Sequence, residues 1–375
     1  MPDPKPTRAG NGKQREKASK SPPGLRPAAA RRSDRFLAQL SGYKRVTLVT
    51  HVNPDPDSLG SMLGLAHLVE KKLGIPTRLT RDGLISRAEN RAMVDLLEIE
   101  LEPIDTIAWD PHEAVVMVDS QPNTGRHHLG EDAPLVAVID HHDTPGDLEN
   151  IDFVDVRRSL GATCSLVTSY LREQLVSPDA RLATALLYGI ETELCGYPRE
   201  ASPVDDKALI HLYPLADKDL MARIRNARLP QTYFNGLLQA LQNSFIYDRL
   251  IISWVDDLPQ PEMAAEVVDF LIRFEEVDWA LCGGIYNNNL ILSLRAAVPD
   301  AQAGELLSKV VGKLGRAGGH DRRAGGLIPL TSVAESAIDN IQSELRKRLL
   351  KTMHIEECRG QRLVSKRDIL HNLHT

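Results

Sequence analysis

Apolar runs that end in acid or imidazole recur three times in the first half of the chain. Arg45-Val-Thr-Leu-Val-Thr50 leads into His51-Val-Asn-Pro-Asp-Pro-Asp57, Ala114-Val-Val-Met-Val118 into Asp119, and Leu135-Val-Ala-Val-Ile139 into Asp140-His141-His142. Each run is short, rich in β-branched residues and continuous rather than alternating, which predicts strands buried on both faces of a parallel sheet. Residues 58–72 place Leu59, Met62, Leu63, Ala66 and Val69 at helical spacing, with Asp57 or Ser58 as N-cap and Gly74 as stop. Residues 161–174 and 179–188 read as further helices facing that sheet. Strand and helix signals thus alternate from Arg45 to about Leu194, as βαβ units do.

The second half changes rhythm. Residues 203–247 read as a helical connector. A new α/β unit then begins with a strand at 250–255, a helix at 262–274 and a hairpin in which 279–286 and 290–296 flank Asn287-Asn288-Asn289. A helix at 304–314 precedes a glycine-rich loop, Ala317-Gly318-Gly319-His320-Asp321-Arg322-Arg323-Ala324-Gly325. The expected class is α/β. The expected division is a basic tail over 1–33, a parallel-sheet catalytic domain over 34–200, a connector over 201–249, a smaller substrate-binding domain over 250–350 and an extension over 351–375.

Composition bounds the class of protein. The 375 residues are 42% hydrophobic, ample for two or three cores, and no apolar run approaches the ~20 residues that span a bilayer. The N-terminus lacks the apolar stretch of a secretory signal. Cys164, Cys195, Cys282 and Cys358 show no paired spacing, so a reducing cytoplasm is the expected location. Residues 1–33 hold nine basic and two acidic residues, a local +7, against −13 for the rest of a chain of net charge −6. Rich in Pro, Ser, Gly and Ala, this tail is expected to be disordered, and a solvated tail is the preferred reading over a nucleic-acid-binding arm.

Asp and Pro are also ordinary turn formers, so residues 51–57 alone fit either a turn or a ligand loop. Three such junctions favour the second reading. Parallel neighbours bring their carboxyl ends together, where open α/β sheets bind ligands, and a carboxylate-rich cluster is what two metal ions ~3.5–4 Å apart require. Carboxylate and imidazole without thiolate favour Mn²⁺ over structural zinc. His127 and His128 follow Asp119 with no carboxylate implied nearby and are read as non-ligands.

In this order the junctions resemble the motifs of DHH-family phosphoesterases. Residues 51–60 fit the pattern H-x-x-P-D-x-D-S-x-G, Asp119 the second motif and Asp140-His141-His142 the third. A fourth motif, an Asp after a Gly-Ile pair, falls in residues 187–197 with Glu193 at the matching position. Residues 317–325 are similar to the G-G-G-H-x-x-A-A-G run of the DHH-associated domain, with Ala317 for Gly and Arg323 for Ala. The motifs span roughly residues 45 to 330, and their combination resembles the branch of small enzymes that degrade very short RNAs and 3′-phosphoadenosine 5′-phosphate.

The resemblance implies two ions, Mn²⁺ with Mg²⁺ or Co²⁺ as alternatives. His51, Asp55 and Asp119 would hold one, and Asp57, Asp119, His141 and Glu193 the other, with Asp119 bridging. Asp140 would orient a ligand and His142 face the substrate phosphate or leaving group. Gly318, Gly319 and His320 would grip substrate across an interdomain cleft, and Arg295 would clamp a phosphate. The implied activity is that of a Mn²⁺-dependent phosphodiesterase or phosphatase acting on short single-stranded RNA or DNA, or on a 3′-phosphorylated nucleotide. A cyclic or linear dinucleotide phosphodiesterase, or a nucleotide-binding regulatory protein, stands as the alternative. No membrane partner is expected, and a homodimer is compatible with this reading.

Overall fold

In the computed structural model residues 31–143, 145–194, 201–319, 321–356 and 359–364 are described. The first half runs α1 (Arg32–Leu40), β1 (Arg45–Val49), α2 (Pro56–Leu73), β2 (Thr77–Arg81), α3 (Ala88–Leu96), β3 (Glu102–Pro103), β4 (Glu113–Val118), β5 (Leu135–Asp140), β6 (Phe153–Val156), α4 (Thr163–Glu173) and α5 (Ala180–Leu194). Its sheet is parallel throughout, in the order β3-β2-β1-β4-β5-β6.

The unbroken apolar character of β4 has its reason in this sheet. Val116 and Val118 face one core together with Leu59, Met62, Leu166 and Leu186, while Val115 and Met117 face another with Val49 and Val138. Both faces are covered, so neither set of positions is polar. From β1 the chain winds outward to β2 and β3, and from β4 it winds the other way to β5 and β6. The direction reverses between β1 and β4, which opens a crevice at their carboxyl ends.

The second half comprises α6 (Pro203–Leu212), α7 (Lys218–Arg225), α8 (Gln231–Gln242), β7 (Ser244–Tyr247), β8 (Leu250–Asp257), α9 (Met263–Leu271), β9 (Trp279–Tyr286), β10 (Asn289–Ala296), α10 (Ala303–Val311), β11 (Arg316–Gly319), β12 (Arg323–Pro329), α11 (Glu335–Thr352) and β13 (Gln361–Arg362). Its sheet is mixed, in the order β11-β12-β10-β9-β8-β7-β13. The hairpin between β9 and β10 turns through Asn287 and Asn288, both at positive φ as asparagine tolerates.

Four elements depart from the expectations. The end of the helical connector is a strand: α8 stops at Asn243, and β7 reverses through Asp248 at φ +51 to pair with β8, covering an edge that would otherwise be open. The glycine-rich loop is largely strand, its first residues in β11 and its last in β12, hydrogen-bonded to each other. Two residues of the C-terminal extension form β13 against β7, a segment too short to carry any periodicity. The helix α1 begins inside the span assigned to the basic tail, whose residues 1–30 lie outside the described residues.

Candidate metal centre

His51 lies two residues past the end of β1 and is buried. Its Nδ1 lies 2.9 Å from the Val52 carbonyl, which can only accept, so in the neutral ring the proton sits on Nδ1 and the lone pair on Nε2. That Nε2 is buried without a hydrogen bond and points between Asp55 Oδ2 at 3.5 Å and Asp119 Oδ2 at 3.6 Å. His141, after β5, repeats the arrangement. Its Nδ1 is 3.2 Å from the Leu160 carbonyl, while Nε2 lies 3.5 Å from Asp119 Oδ1 and 3.7 Å from Asp57 Oδ2. A carbonyl behind one nitrogen and a carboxylate cluster before the other is how a metal-binding imidazole is oriented.

Asp119 stands between the two histidines. It follows β4 at φ +57, and Thr163 Oγ1 donates to its Oδ1 at 2.7 Å. Two sets of donor atoms lie within 4.8 Å of one another, His51 with Asp55 and Asp119, and Asp119 with His141 and His142. Asp119 belongs to both, the placement expected of a bridging carboxylate.

Asp55 caps α2, accepting from the Ser58 amide at 3.0 Å. Asp57 is fully buried, and its two oxygens accept the Thr163 and Cys164 amides at 2.7 Å each, at the amino end of α4. Glu193 lies in the last turn of α5 and is outside both donor sets. Asp140 orients His142 rather than His141: its Oδ1 meets His142 Nδ1 at 2.8 Å, and its Oδ2 accepts from Gln121 Nε2 at 2.7 Å.

The charges around this cluster are strongly coupled. Burial works against a charge on His51, yet Asp55 and Asp119 hold its pKa up at about 10. Asp55 is held well below the usual carboxylate range despite burial, chiefly by His51. Burial and then Asp119, Glu193 and Asp55 push Asp57 far up, and burial with Asp55 and Asp119 raises Glu193 to about 7. Asp140 is lowered in spite of burial by its bond to His142, which is raised in turn. Carboxylates that repel one another around oriented imidazoles fit hard to borderline divalent cations.

Gly318 and Gly319 lie in β11, and His320 lies outside the described residues. Gly319 is at φ +156, and a side chain there would collide with the backbone of Arg323 and Ala324. The glycine is thus needed by the hairpin itself. Arg295 is 7% exposed, with Nε 2.6 Å from Asp269 and Nη1 3.1 Å from Ser293 Oγ and from the Leu294 carbonyl. Those donors are engaged within the protein.

Gln121 and Thr163 carry no motif that would single them out. A polar side chain just past a strand-end Asp was the available signal for Gln121, and Thr163 had none. His128 has a carboxylate after all, the buried Asp82, whose Oδ1 lies 2.8 Å from its exposed ring and which is in neither donor set.

Residues 45–190 match the model of the DHH family, N-terminal domain. The chain is 29% identical over 316 residues to an uncharacterized protein of Methanocaldococcus jannaschii, a match that takes in 83% of this chain and 64% of that relative's length. Its fold is similar to the crystal structure of an exopolyphosphatase-related protein from Bacteroides fragilis, with a TM-score of 0.69 and 16% identity over 88% of this chain and 99% of the other. It is also similar to RecJ in complex with Mn²⁺ from Thermus thermophilus, with a TM-score of 0.51 and 14% identity over 88% of this chain and 56% of that one. Among the described residues no helix is long and apolar enough to cross a membrane. With its strand-end acids and histidines in the positions described, the segment over residues 45–190 is similar to the N-terminal domain of the DHH family.

Proposed function

We propose that the chain is a metal-dependent phosphoesterase that hydrolyses short oligonucleotides or a 3′-phosphorylated nucleotide. One observation carries this reading: His51, Asp55, His141 and His142 converge on Asp119 at the ends of three adjacent parallel strands. His51, Asp55 and Asp119 would hold one ion, and Asp119 and His141, with Asp57 and Glu193 nearby, a second. Mn²⁺ is the first ion to test, given a similar fold described with Mn²⁺, with Mg²⁺ or Co²⁺ as alternatives. When bound, such ions activate water and neutralise phosphoryl charge.

The chain's own groups do the rest. Thr163 and the left-handed backbone fix Asp119, so that its two oxygens face different histidines. Asp140, itself held by Gln121, favours the charged form of His142 against burial and orients it to give a proton to the leaving oxygen. The hairpin bearing Gly318 and Gly319, with Arg295 behind it, closes the substrate side. Burial and Asp57 push the Cys164 thiol far up, so it is a poor nucleophile and attack by water is favoured.

The test is a substrate panel on purified protein stripped with chelator and reloaded with Mn²⁺. Release of mononucleotide from short oligoribonucleotides, or of phosphate from 3′-phosphoadenosine 5′-phosphate, is expected. Absence of turnover with every divalent ion tried would overturn the reading.

A further inference from the structure

Arg295 and Arg323 stand directly opposite one another in the pairing of β10 with β12, so both side chains leave the same face of the sheet. Like charges so placed repel unless each has an anion of its own. Arg295 has one in Asp269, which also meets Arg87 of the first half at 3.6 Å, so this face looks across the cleft. Arg323 is half-buried, and its side chain makes no hydrogen bond or ion pair among the described residues. Its charge acts on Arg295 and, across the cleft, on Glu193.

Both Glu193 and Arg323 are positions where the chain departs from the motifs, Asp and Ala respectively. The charge of the one acts on the other, and a carboxylate beside the donor sets is met by a guanidinium with no hydrogen bond or ion pair among the described residues.

We propose that Arg323 is a specificity-determining residue that binds a second anionic group of the substrate, a phosphate beyond the one hydrolysed. Arg295 is a positioning residue, held by Asp269 so that the face bearing Arg323 lies opposite the strand ends. The reacting phosphate must sit at those strand ends, in the first sheet, whereas Arg323 comes from the other sheet, which suits it to a neighbouring phosphate of the same substrate. A guanidinium suits it because its donors form a planar fork matched to phosphate oxygens. The inference rests on the phosphoesterase reading of this cleft.

The experiment compares the parent with Arg323→Ala, Arg323→Lys and, as control, Arg316→Ala on the exposed start of β11. Binding of a 5′-phosphorylated dinucleotide to metal-free protein is measured by calorimetry, and KM is measured with Mn²⁺ for that dinucleotide and for bis-p-nitrophenyl phosphate, which has no second phosphate. Arg323→Ala is expected to weaken dinucleotide binding about tenfold, the scale of one charge-assisted hydrogen bond. It should raise KM for the dinucleotide about tenfold more than for the small diester, with Arg323→Lys in between and Arg316→Ala like the parent. Parent-like binding and KM in Arg323→Ala, or an equal KM rise on both substrates, would overturn the proposal. A parent that turns over neither substrate, yet loses dinucleotide affinity on Arg323→Ala, would remove the phosphoesterase reading and leave the role of Arg323 standing.

Discussion

At the scale of the residue, Asp119 concentrates the demands of the site. Its left-handed backbone costs an aspartate of order 1 kcal/mol, and what that conformation achieves is a carboxylate aimed at two histidines at once. Asp119→Asn keeps a residue that tolerates positive φ and removes one of several crowded carboxylates. The expected outcome is loss of turnover and a fall in Mn²⁺ affinity of at least ~10–100-fold, with the melting temperature of the metal-free protein unchanged or raised. An unaltered Mn²⁺ titration would remove Asp119 from the bridging role. The pKa shifts give a pH dependence of definite sign. Glu193 binds its proton more tightly in the folded protein, up to about 7 from 4.5, and so does His51, up to about 10 from 6.5. Stability of the metal-free protein therefore falls as pH rises, through Glu193 between 4.5 and 7 and through His51 between 6.5 and 10. A cation takes the place of those protons, so the rise in melting temperature on adding Mn²⁺ should be larger at pH ~8 than at pH ~6. Equal shifts at both pH values would show that neither residue is close to the ion.

At the scale of the element, the site depends on how tightly three helices meet. Gly189 in α5 lies where a Cβ would stand 2.6 Å from Cys164 Sγ and 2.8 Å from the Pro56 carbonyl, so glycine lets α5 pack against the starts of α2 and α4. Asp57 is held in that junction and Glu193 follows one turn later. Gly189→Ala should cost roughly 1–3 kcal/mol in urea denaturation, the overpacking penalty outweighing the helix propensity it gains, and should weaken Mn²⁺ binding by shifting both acids. Gly42→Ala, with nothing within 4 Å, serves as the neutral comparison. If both variants denature alike, close packing at Gly189 is not what positions the acids. The strands that carry the acids were legible because their apolar runs are unbroken, which only double-faced burial explains. The strand β7 was not, since its residues also continue the helical spacing of α8, and only the open edge of β8 makes the extended form preferable. The reach of α5 to Leu194 was equally hidden, because Gly189, directly after Tyr188, reads as a helix stop although α5 runs through it.

At the scale of the whole molecule, the contacts seen between the two sheets' surroundings are polar. Ser86 bonds Glu262, Arg91 meets Gln260 at 3.4 Å, and Arg87 and Arg295 share Asp269. Such a junction resembles a transient interface and leaves relative motion open. Asp269→Asn removes the carboxylate from a buried arginine and a half-exposed one. The expected loss is ~1–3 kcal/mol in thermal or urea unfolding, below the cost of breaking a fully buried pair because Asp269 is 42% exposed. The same variant should raise KM for nucleotide substrates, since it frees the face that carries Arg323. Stability and KM both at parent values would mean that Asp269 does not order that face.

What the sequence determined by itself was the chemistry and its order: three apolar runs, each ending in acids or histidines, and a parallel sheet to bring those ends together. The alternation of apolar runs and polar loops is a local property, so it can be read locally. It also placed His51, Asp55, Asp119 and His141 correctly at strand ends, because a loop that follows a buried strand has only one place to begin. Tertiary structure alone decided which oxygens face which nitrogens. That Asp140 serves His142, that Asp57 is tied to the amides of α4, that Arg295 is engaged by Asp269 while the charge of Arg323 acts on Glu193, all depend on packing, in part between segments more than a hundred residues apart. No periodicity along the chain encodes such pairings, since they follow from the register of β10 on β12 and the closeness of α2, α4 and α5.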